Sequence, residues 1–298
     1  MTADISRYLE NHGIEYKKHA DLSCISTMRV GGTALLFASP DSAEKLCRLI
    51  GHLEERGVKY RLTGRMSNIL PTDEEYQGII VNTLKLRTYI LAENEITASC
   101  GVYMPVLCRR LARQGVSLLP HISSIPATLG GMVYSNAGAH GKEISDAFIS
   151  CVCFDKSRRE AVELSHDDMS FAYRYSRLKY DSLVLLYAKL RITRDSPKEI
   201  LARIDEYAEI RRRHQPVEYP SLGSIFLRVG NTSAGKIIDE CGLKGSSVGG
   251  ASVSNKHAGF IINSGGATSC DVLKLIDMIK ERVLTLTGVE LKTEIEFL

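Results

Sequence analysis

The eight residues from Leu183 to Leu190 are apolar at every position except Lys189. A strand with one solvent-facing side alternates between apolar and polar residues, whereas a strand covered on both faces is apolar throughout. This segment therefore predicts a central strand that is buried between layers. Other segments have helical periodicity, as in the apolar stripe of Val272, Leu275, Ile276, Ile279 and Val283. The mixture of strands and helices favours the α+β class.

The domain organisation follows from length and from a shift in composition. A chain of 298 residues is long for one hydrophobic core, and it predicts two or three compact units. Residues 196–214 are charged and helical, and Pro216 and Pro220 stop that helix. We therefore place a domain boundary near residue 195.

Local patterns predict the elements at the two ends of the chain. Residues 1–20 are interpreted as a short amphipathic helix. Asp41 is interpreted as the N-cap of a second helix, which Gly57 can end. Residues Glu290–Leu298 are interpreted as a final strand, in which Lys292, Glu294 and Glu296 share one face.

The charge balance excludes some classes of function. The formal net charge is +3, which gives no case for a nucleic-acid partner. The first residues lack the basic start and apolar run of a signal peptide. No apolar run approaches the roughly 20 residues of a membrane helix. We expect a cytoplasmic protein without membrane insertion, and a monomer.

The eight cysteines contain no CxxC pair and no set of zinc ligands, so no metal is expected. Cys151 and Cys153 are two residues apart, which puts them on one face of a strand. We interpret them as a pair of buried structural thiols. A reducing compartment fits this cysteine usage.

Three segments are rich in small residues: 64–68, 125–138 and 221–224. Small residues allow backbone N–H groups to approach a ligand, and a run of them can surround phosphate oxygens. For any single loop, a turn or tight packing is the favoured explanation. The chain has neither a G-x-G-x-x-G sequence after a strand nor a Walker sequence, so a bound dinucleotide would not be held by a Rossmann fingerprint.

The order of these loops along the chain is more specific than any one of them. Over about residues 20–298 the chain resembles the UDP-N-acetylenolpyruvoylglucosamine reductase family, which works in peptidoglycan synthesis. Since Arg174 and Ser224 follow each other without a long insertion, it is similar to a divergent member of the shorter subtype. The resemblance rests on Ser26–Gly32, Ser67–Asn68, Ile125–Gly131, Ser135–Gly141, Tyr173–Ser176, Gln215–Pro216, Tyr219–Phe226, Ala234–Asp239, Gly242–Gly245, Val248–Ala251, Lys256–Asn263 and Leu291–Ile295.

The resemblance implies a fold and a reaction. The fold would be a two-subdomain FAD-binding unit of the PCMH/VAO type, with subdomains at residues 1–80 and 81–195. A C-terminal α+β substrate-binding domain would occupy residues 196–298. NADPH would reduce non-covalently bound FAD, and the flavin would pass a hydride to the enolpyruvyl double bond of the UDP-sugar to give UDP-N-acetylmuramate.

Three residues are implied to be catalytic. Ser224 would donate a proton to the intermediate left by hydride addition. The Arg174 guanidinium would hold the substrate carboxylate, and Glu294 would help to polarise that group. Taken singly, each has an ordinary explanation, namely a turn serine, a surface ion pair and an exposed charge on a terminal strand.

The resemblance also implies ligand contacts. Tyr173, Arg228 and His257 would contact the substrate, although a core or surface histidine is an equally good explanation of His257. The FAD contacts would come from the small-residue loops: Gly64, Arg65, Met66, Ser67, Asn68, Pro126, Ala127, Thr128, Gly130, Gly131, Asn136, Ala137 and Gly138.

Several positions depart from the family pattern. Met66 replaces a glycine of the flavin loop, Ala127 replaces another glycine, and Tyr175 replaces an aspartate. Leu227 stands where a lysine is usual, and Arg228 can supply that charge one position later. We favour a working reductase because the catalytic set is intact. The alternative is a divergent paralogue that binds flavin or nucleotide without this activity, and a flavin oxidase of the same cofactor fold has less support.

Overall fold

The computed structural model describes residues 2–298, which fall into two compact units. The first unit comprises residues up to 17, 36–64 and 78–209, and the second comprises 18–35, 65–77 and 210–298. The three-domain division predicted from sequence stays a prediction. The two compact units differ from that division, because residues 18–35 and 65–77 belong to the same unit as residues 210–298.

The chain contains both helices and many short strands. The helices are α1 (Thr2–Asn11), α2 (Ala43–Glu55), α3 (Met104–Ala112), α4 (Leu129–Tyr134), α5 (Pro197–His214), α6 (Ala234–Glu240) and α7 (Ser269–Thr287). The strands are β1 (Glu15–Asp21), β2 (Thr33–Ser39), β3 (Tyr60–Thr63), β4 (Ile69–Leu70), β5 (Tyr76–Asn82), β6 (Tyr89–Leu91), β7 (Glu95–Ser99), β8 (Val116–Ser117), β9 (Gly138–Ala139), β10 (Lys142–Glu143), β11 (Phe148–Asp155), β12 (Glu160–Ser165), β13 (Leu183–Arg191), β14 (Thr193–Arg194), β15 (Ser221–Ser224), β16 (Ser247–Val248), β17 (Ala251–Val253), β18 (Phe260–Asn263) and β19 (Glu296–Phe297).

The strand β13 lies at the centre of a five-stranded sheet of order β12-β11-β13-β7-β6, so its predicted central position is confirmed. It is not fully covered on both sides as predicted, because one face is buried throughout whereas Tyr187 and Lys189 on the other face are only half-buried. It pairs antiparallel with both β11 and β7. Cys151 and Cys153 on β11 are buried, and their Sγ atoms are 3.5 Å apart, which confirms the predicted pair of structural thiols. A second sheet has the order β1-β2-β5-β3, in which β3 and β5 are parallel.

The core of the first unit includes residues from α1, α2, α3 and α4 together with the sheets. The helix α5 begins close to the predicted boundary, but Ile200 and Ile204 are buried in this same core. Salt bridges from Arg203 to Asp195 and from Arg109 to Asp205 attach its first half to the unit. The helix therefore packs with the residues that precede it.

The second unit has a four-stranded sheet of order β15-β18-β17-β16 and a separate core that includes one face of α7. All five residues of the predicted α7 stripe are buried in that core. Together, the two units have the mixed helix and strand content of the predicted α+β class.

Hydrogen bonds explain why residues 18–35 and 65–77 belong to this second unit. Thr27 Oγ1 donates to the Ser221 carbonyl over 2.8 Å. The Asn263 amide donates to the Met28 carbonyl over 3.1 Å. The Asp73 carboxylate accepts from two backbone N–H groups in the first turn of α7. These contacts join positions about 200 residues apart, so no local pattern could have indicated them.

Two local predictions were wrong. Residues 1–20 do not form one helix, because α1 ends at Asn11 and Glu15–Asp21 forms the edge strand β1. The N-cap of α2 is Ser42, whose hydroxyl accepts from the Lys45 N–H. Asp41 instead forms a salt bridge with the Lys45 ammonium. Among residues 2–298, no helix has the length and apolar character of a membrane span.

We predict that Asp73→Ala lowers the free energy of unfolding by about 1–2 kcal/mol. The Asp73 carboxylate accepts from the N–H groups of Ser269 and Cys270 over 2.7 and 2.8 Å, at the positive end of the α7 dipole. Urea denaturation measures the effect. Asp73→Asn keeps one acceptor oxygen, so its free energy of unfolding should lie between those of the wild type and Asp73→Ala. Equal urea midpoints for all three proteins would contradict this role.

Candidate active site

The first two small-residue loops meet within the first unit. Gly64 lies so close to Thr128 that a Cβ on Gly64 would be 2.5 Å from the Thr128 hydroxyl oxygen. Gly130 is similarly restricted, since its Cβ would be 3.1 Å from the Cys100 carbonyl oxygen. Gly131 is exposed and has no side chain to cover its backbone. The space beside Gly64 and Gly130 is filled by protein atoms, whereas the exposed backbone at Gly131 is open to a flavin nucleotide, and in this respect the residues present fit FAD.

The N-terminal side of the second loop is fixed by backbone hydrogen bonds. The Ala127 N–H donates to the Ile125 carbonyl over 2.8 Å, and the Ala127 carbonyl accepts from the Met104 N–H over 3.2 Å. Pro126, between Ile125 and Ala127, brings no N–H of its own. The Thr128 hydroxyl caps α4 by accepting from the Gly131 N–H. The loop path therefore does not depend on a glycine at position 127.

Asn82, which the sequence does not mark as a functional residue, supports the first loop. Its side chain is buried, and its amide nitrogen donates to the Gly64 carbonyl over 2.8 Å and to the Thr63 hydroxyl over 3.1 Å. Its amide oxygen accepts from the Leu84 N–H over 3.0 Å. Its position at the end of the buried strand β5 was the only available signal.

The loop residues that follow Gly64 belong to the second unit. Arg65 is exposed, whereas the Met66 side chain is buried, with only 2% of its surface exposed. Met66 has φ of +51°, a left-handed conformation that glycine adopts without cost. Met66 thus combines a left-handed backbone, which a glycine would also accept, with a side chain that is directed into the protein.

Ser67 and Asn68 lead into β4, which pairs in parallel with the C-terminal strand β19. The Asn68 amide nitrogen donates to the Glu294 carbonyl over 3.2 Å, and the Glu296 N–H donates to the Asn68 carbonyl over 2.9 Å. A predicted cofactor loop is thus bonded to the backbone of a predicted catalytic residue. The expected final strand Glu290–Leu298 is shorter than predicted, because only Glu296–Phe297 forms β19.

Ser224 is half-buried at the end of β15, where the pairing with β18 shifts register between Ser221 and Ser224. Gly223, just before it, has φ of +81°, and such bulges re-aim the following side chain. The next carbonyl, that of Ile225, accepts from the Glu294 N–H over 2.8 Å. The structure thus brings Ser224 and Glu294 into neighbouring, hydrogen-bonded segments of one unit.

The predicted substrate residues of the second unit have different environments. Arg228 is exposed, and Leu227 is tied to the C-terminal segment by its N–H bond to the Lys292 carbonyl. The His257 ring packs edge-on against Phe260, and its Nδ1 accepts from the Gly259 N–H over 3.1 Å. Burial lowers the pKa of His257, so the ring is neutral at pH 7 and brings no positive charge.

Arg174 lies in the first unit, in the tight turn formed by Ala172 and Tyr175, whose N–H and carbonyl groups bond reciprocally at 3.1 and 3.0 Å. Arg174 has φ of +55°. Its guanidinium donates to the Gly138 carbonyl at 3.5 Å and lies 5.1 Å from the centre of the exposed Tyr173 ring. Arginine and tyrosine are thus presented together at the tip of a turn.

The asparagine loop supports that turn. Asn136 is fully buried with φ of +43°, and its amide bonds to Glu143, Ala172 and the Ser145 N–H. Ala137 is buried, and its backbone bonds to Met132 and Ile144. The predicted contacts of Asn136, Ala137 and Gly138 with FAD stay a prediction.

Comparison with known proteins bears on both units. Residues 34–155 match the FAD binding domain family, and residues 215–298 match the family described as UDP-N-acetylenolpyruvoylglucosamine reductase, C-terminal domain. The UDP-N-acetylenolpyruvoylglucosamine reductases of Caldicellulosiruptor bescii and Clostridium tetani are 38% and 36% identical to the chain. They cover 99% and 98% of it, and the matches span 94% and 95% of those proteins.

Solved structures give the same result. The reductase from Thermus caldophilus is 31% identical, with a TM-score of 0.80, and the match covers 95% of this chain and 98% of that one. A berberine bridge enzyme variant is 12% identical, with a TM-score of 0.51 over 65% of this chain, and shows a shared fold alone. These matches confirm the predicted fold class, FAD as a cofactor and the assignment as an oxidoreductase.

We predict that stability decreases in the order wild type, Met66→Gly, Met66→Ala. Both variants lose a buried side chain, which costs about 2–5 kcal/mol for alanine. Glycine recovers about 1 kcal/mol of this, because the left-handed backbone at Met66 strains any residue with a Cβ. Thermal unfolding of the FAD-free protein measures the order, and a glycine variant less stable than the alanine variant would contradict it.

We predict that His257→Asn reduces the loss of stability between pH 7.5 and pH 5. Because burial lowers the pKa of His257, the unfolded chain takes up its proton first as the pH falls below about 6.5. The stability due to neutral His257 is therefore present above that pH and declines as the pH falls towards the folded pKa. Thermal midpoints at the two pH values measure the effect, and an unchanged pH dependence in His257→Asn would contradict this role for the buried ring.

Proposed function

The chain belongs to the UDP-N-acetylenolpyruvoylglucosamine reductase family, and we propose that it reduces UDP-N-acetylglucosamine enolpyruvate to UDP-N-acetylmuramate. Its hydride would come from NADPH in preference to NADH, through non-covalently bound FAD. The observation that carries this proposal is the 2.8 Å hydrogen bond from the Glu294 N–H to the Ile225 carbonyl, next to Ser224. It holds two of the three expected catalytic side chains in adjacent backbone segments.

The reaction adds H⁻ and H⁺ across a carbon–carbon double bond that carries a carboxylate. When bound and reduced by NADPH, FAD would supply the hydride for the terminal carbon, and negative charge would then develop on the adjacent carbon and its carboxylate. Ser224 Oγ–H protonates that adjacent carbon, and the Ser224 oxygen regains its proton from solvent. An alcohol is a weak acid, but the enolate that it protonates is a strong base.

The reaction also requires groups that stabilise the negative charge on the substrate carboxylate. A guanidinium can form two parallel hydrogen bonds with a carboxylate, and Arg174 is presented at the tip of a turn beside the exposed Tyr173 ring. A half-buried Glu294 can hydrogen-bond the same carboxyl group when protonated. The exposed Arg228 is suited to the diphosphate. His257 is suited to packing or neutral hydrogen bonding rather than to charge neutralisation.

The substrate, a UDP-sugar in precursor synthesis for the cell wall, suits a cytoplasmic enzyme. We also propose that the protein acts as a monomer without nucleic acid. The alternative function is a flavin- or nucleotide-binding paralogue, and it differs from the proposed one in a single measurable respect. In either form of the paralogue, the enolpyruvyl substrate would not be reduced; where flavin is bound, NADPH would reduce it but the substrate would not re-oxidise it.

We predict that Ser224→Ala binds FAD and is reduced by NADPH at the wild-type rate. Re-oxidation by the enolpyruvyl substrate should slow by about 10²–10⁴-fold, the usual contribution of a general acid. Anaerobic stopped-flow absorbance of the flavin measures both half-reactions. Ser221→Ala, in the same strand, is the matched control and should behave as wild type. Equal slowing of both half-reactions by Ser224→Ala would refute the proton-donor role.

A further inference from the structure

We propose that Asn136 is a positioning residue, whose buried amide holds the turn that presents Arg174 to the substrate carboxylate. This inference rests on the proposed function and assigns to Asn136 a role different from direct contact with FAD. Its basis is a set of hydrogen bonds that joins the segments 134–138 and 172–176 within the first unit.

The Asn136 side chain is committed to protein partners. Its amide nitrogen donates to Glu143 Oε2 over 2.6 Å and to the Ala172 carbonyl over 3.0 Å. Its amide oxygen accepts from the Ser145 N–H over 3.3 Å. Both amide hydrogens are used, and the residue has 0% of its surface exposed. The side chain therefore has no donor left for a cofactor, and one of its two donors goes to the turn.

The Ala172 carbonyl is one end of the turn that contains Arg174. The other end is held by buried Ser176, whose hydroxyl donates to the Tyr134 carbonyl over 2.9 Å. Tyr134 and Asn136 are close in sequence, so a single short segment anchors the turn on both sides. Gly138, in the same segment, accepts from the Arg174 guanidinium at 3.5 Å. The segment 134–138 thus holds the backbone of the Arg174 turn and also contacts the Arg174 side chain.

Backbone conformation makes such an anchor necessary. Arg174 has φ of +55°, a left-handed conformation that strains a residue with a long side chain. A strained conformation persists only where surrounding contacts determine it. Without the Asn136 donor, the turn would lose a side-chain bond that opposes relaxation of Arg174. A shift of about 1 Å in a group that orients substrate can cost about 100-fold in rate.

The test uses the full-length protein loaded with FAD. Asn136→Asp keeps the shape of the side chain but removes both donors and places a carboxylate beside Glu143. We expect re-oxidation by the enolpyruvyl substrate to slow by about 10–100-fold and the Kd of that substrate for the oxidised protein, read from flavin absorbance, to rise. Reduction by NADPH should stay within a few-fold of wild type.

A double-mutant cycle separates positioning from general stability. If Asn136 acts through Arg174, then Asn136→Asp should slow re-oxidation much less in an Arg174→Lys background than in wild type. Asn82→Asp is the matched control, because Asn82 is also buried with three hydrogen bonds but supports Gly64. Its effect should be additive with that of Arg174→Lys.

Asn136→Gly is the second variant, since glycine suits the left-handed backbone while lacking the amide. It should reproduce the slow re-oxidation if Asn136→Asp does not fold. Additive effects of Asn136 and Arg174 substitutions, or wild-type re-oxidation by both variants, would overturn the inference. If the wild-type protein is itself not re-oxidised by the substrate, the proposed function fails and the inference fails with it. If the substrate re-oxidises the wild-type protein and both Asn136 variants equally fast, the inference about Asn136 is wrong but the proposed function stands.

Discussion

A side-chain amide that donates to a distant backbone carbonyl is the interaction on which the candidate loops depend. Asn82 holds the Gly64 carbonyl, Asn136 holds that of Ala172, Asn68 holds that of Glu294, and Asn263 holds that of Met28. Each bond stays within one unit and joins segments that are far apart in sequence. Since these loops lack ladder partners over much of their length, an asparagine supplies the donor that a neighbouring strand would otherwise give.

The sequence predicted those parts of the fold in which one burial pattern decides the structure. The apolar run from Leu183 to Leu190 predicted a central strand, the stripe of α7 predicted a face against a core, and the structure confirms both positions. The prediction failed at Glu15–Asp21, where a polar segment is a strand because it pairs at a sheet edge. The sequence does not indicate that residues 18–35 and 65–77 group with the second unit, because hydrogen bonds such as that of Asp73 to the start of α7 produce no periodic pattern.

For the site, residue types were more predictable than the supporting contacts. The segments of Ser224 and Glu294 were recognisable, and the structure places them side by side. Asn82 was not recognisable, since one polar residue after a buried strand is common. The left-handed backbone at Met66, Asn136 and Arg174 was not predictable either, because glycine is the residue that most clearly indicates a positive φ in a sequence.

The departures from the family pattern fall at positions where the backbone, rather than the side chain, defines the loop. Met66 keeps a left-handed φ and buries its side chain. Ala127 takes part in its loop through its N–H and carbonyl groups, and Tyr175 closes the Arg174 turn in the same way. A side-chain change at such positions alters the surroundings of the loop while leaving its path in place. Divergence of this kind can therefore tune ligand affinity without dismantling the arrangement of Ser224, Glu294 and the Arg174 turn, each within its own unit.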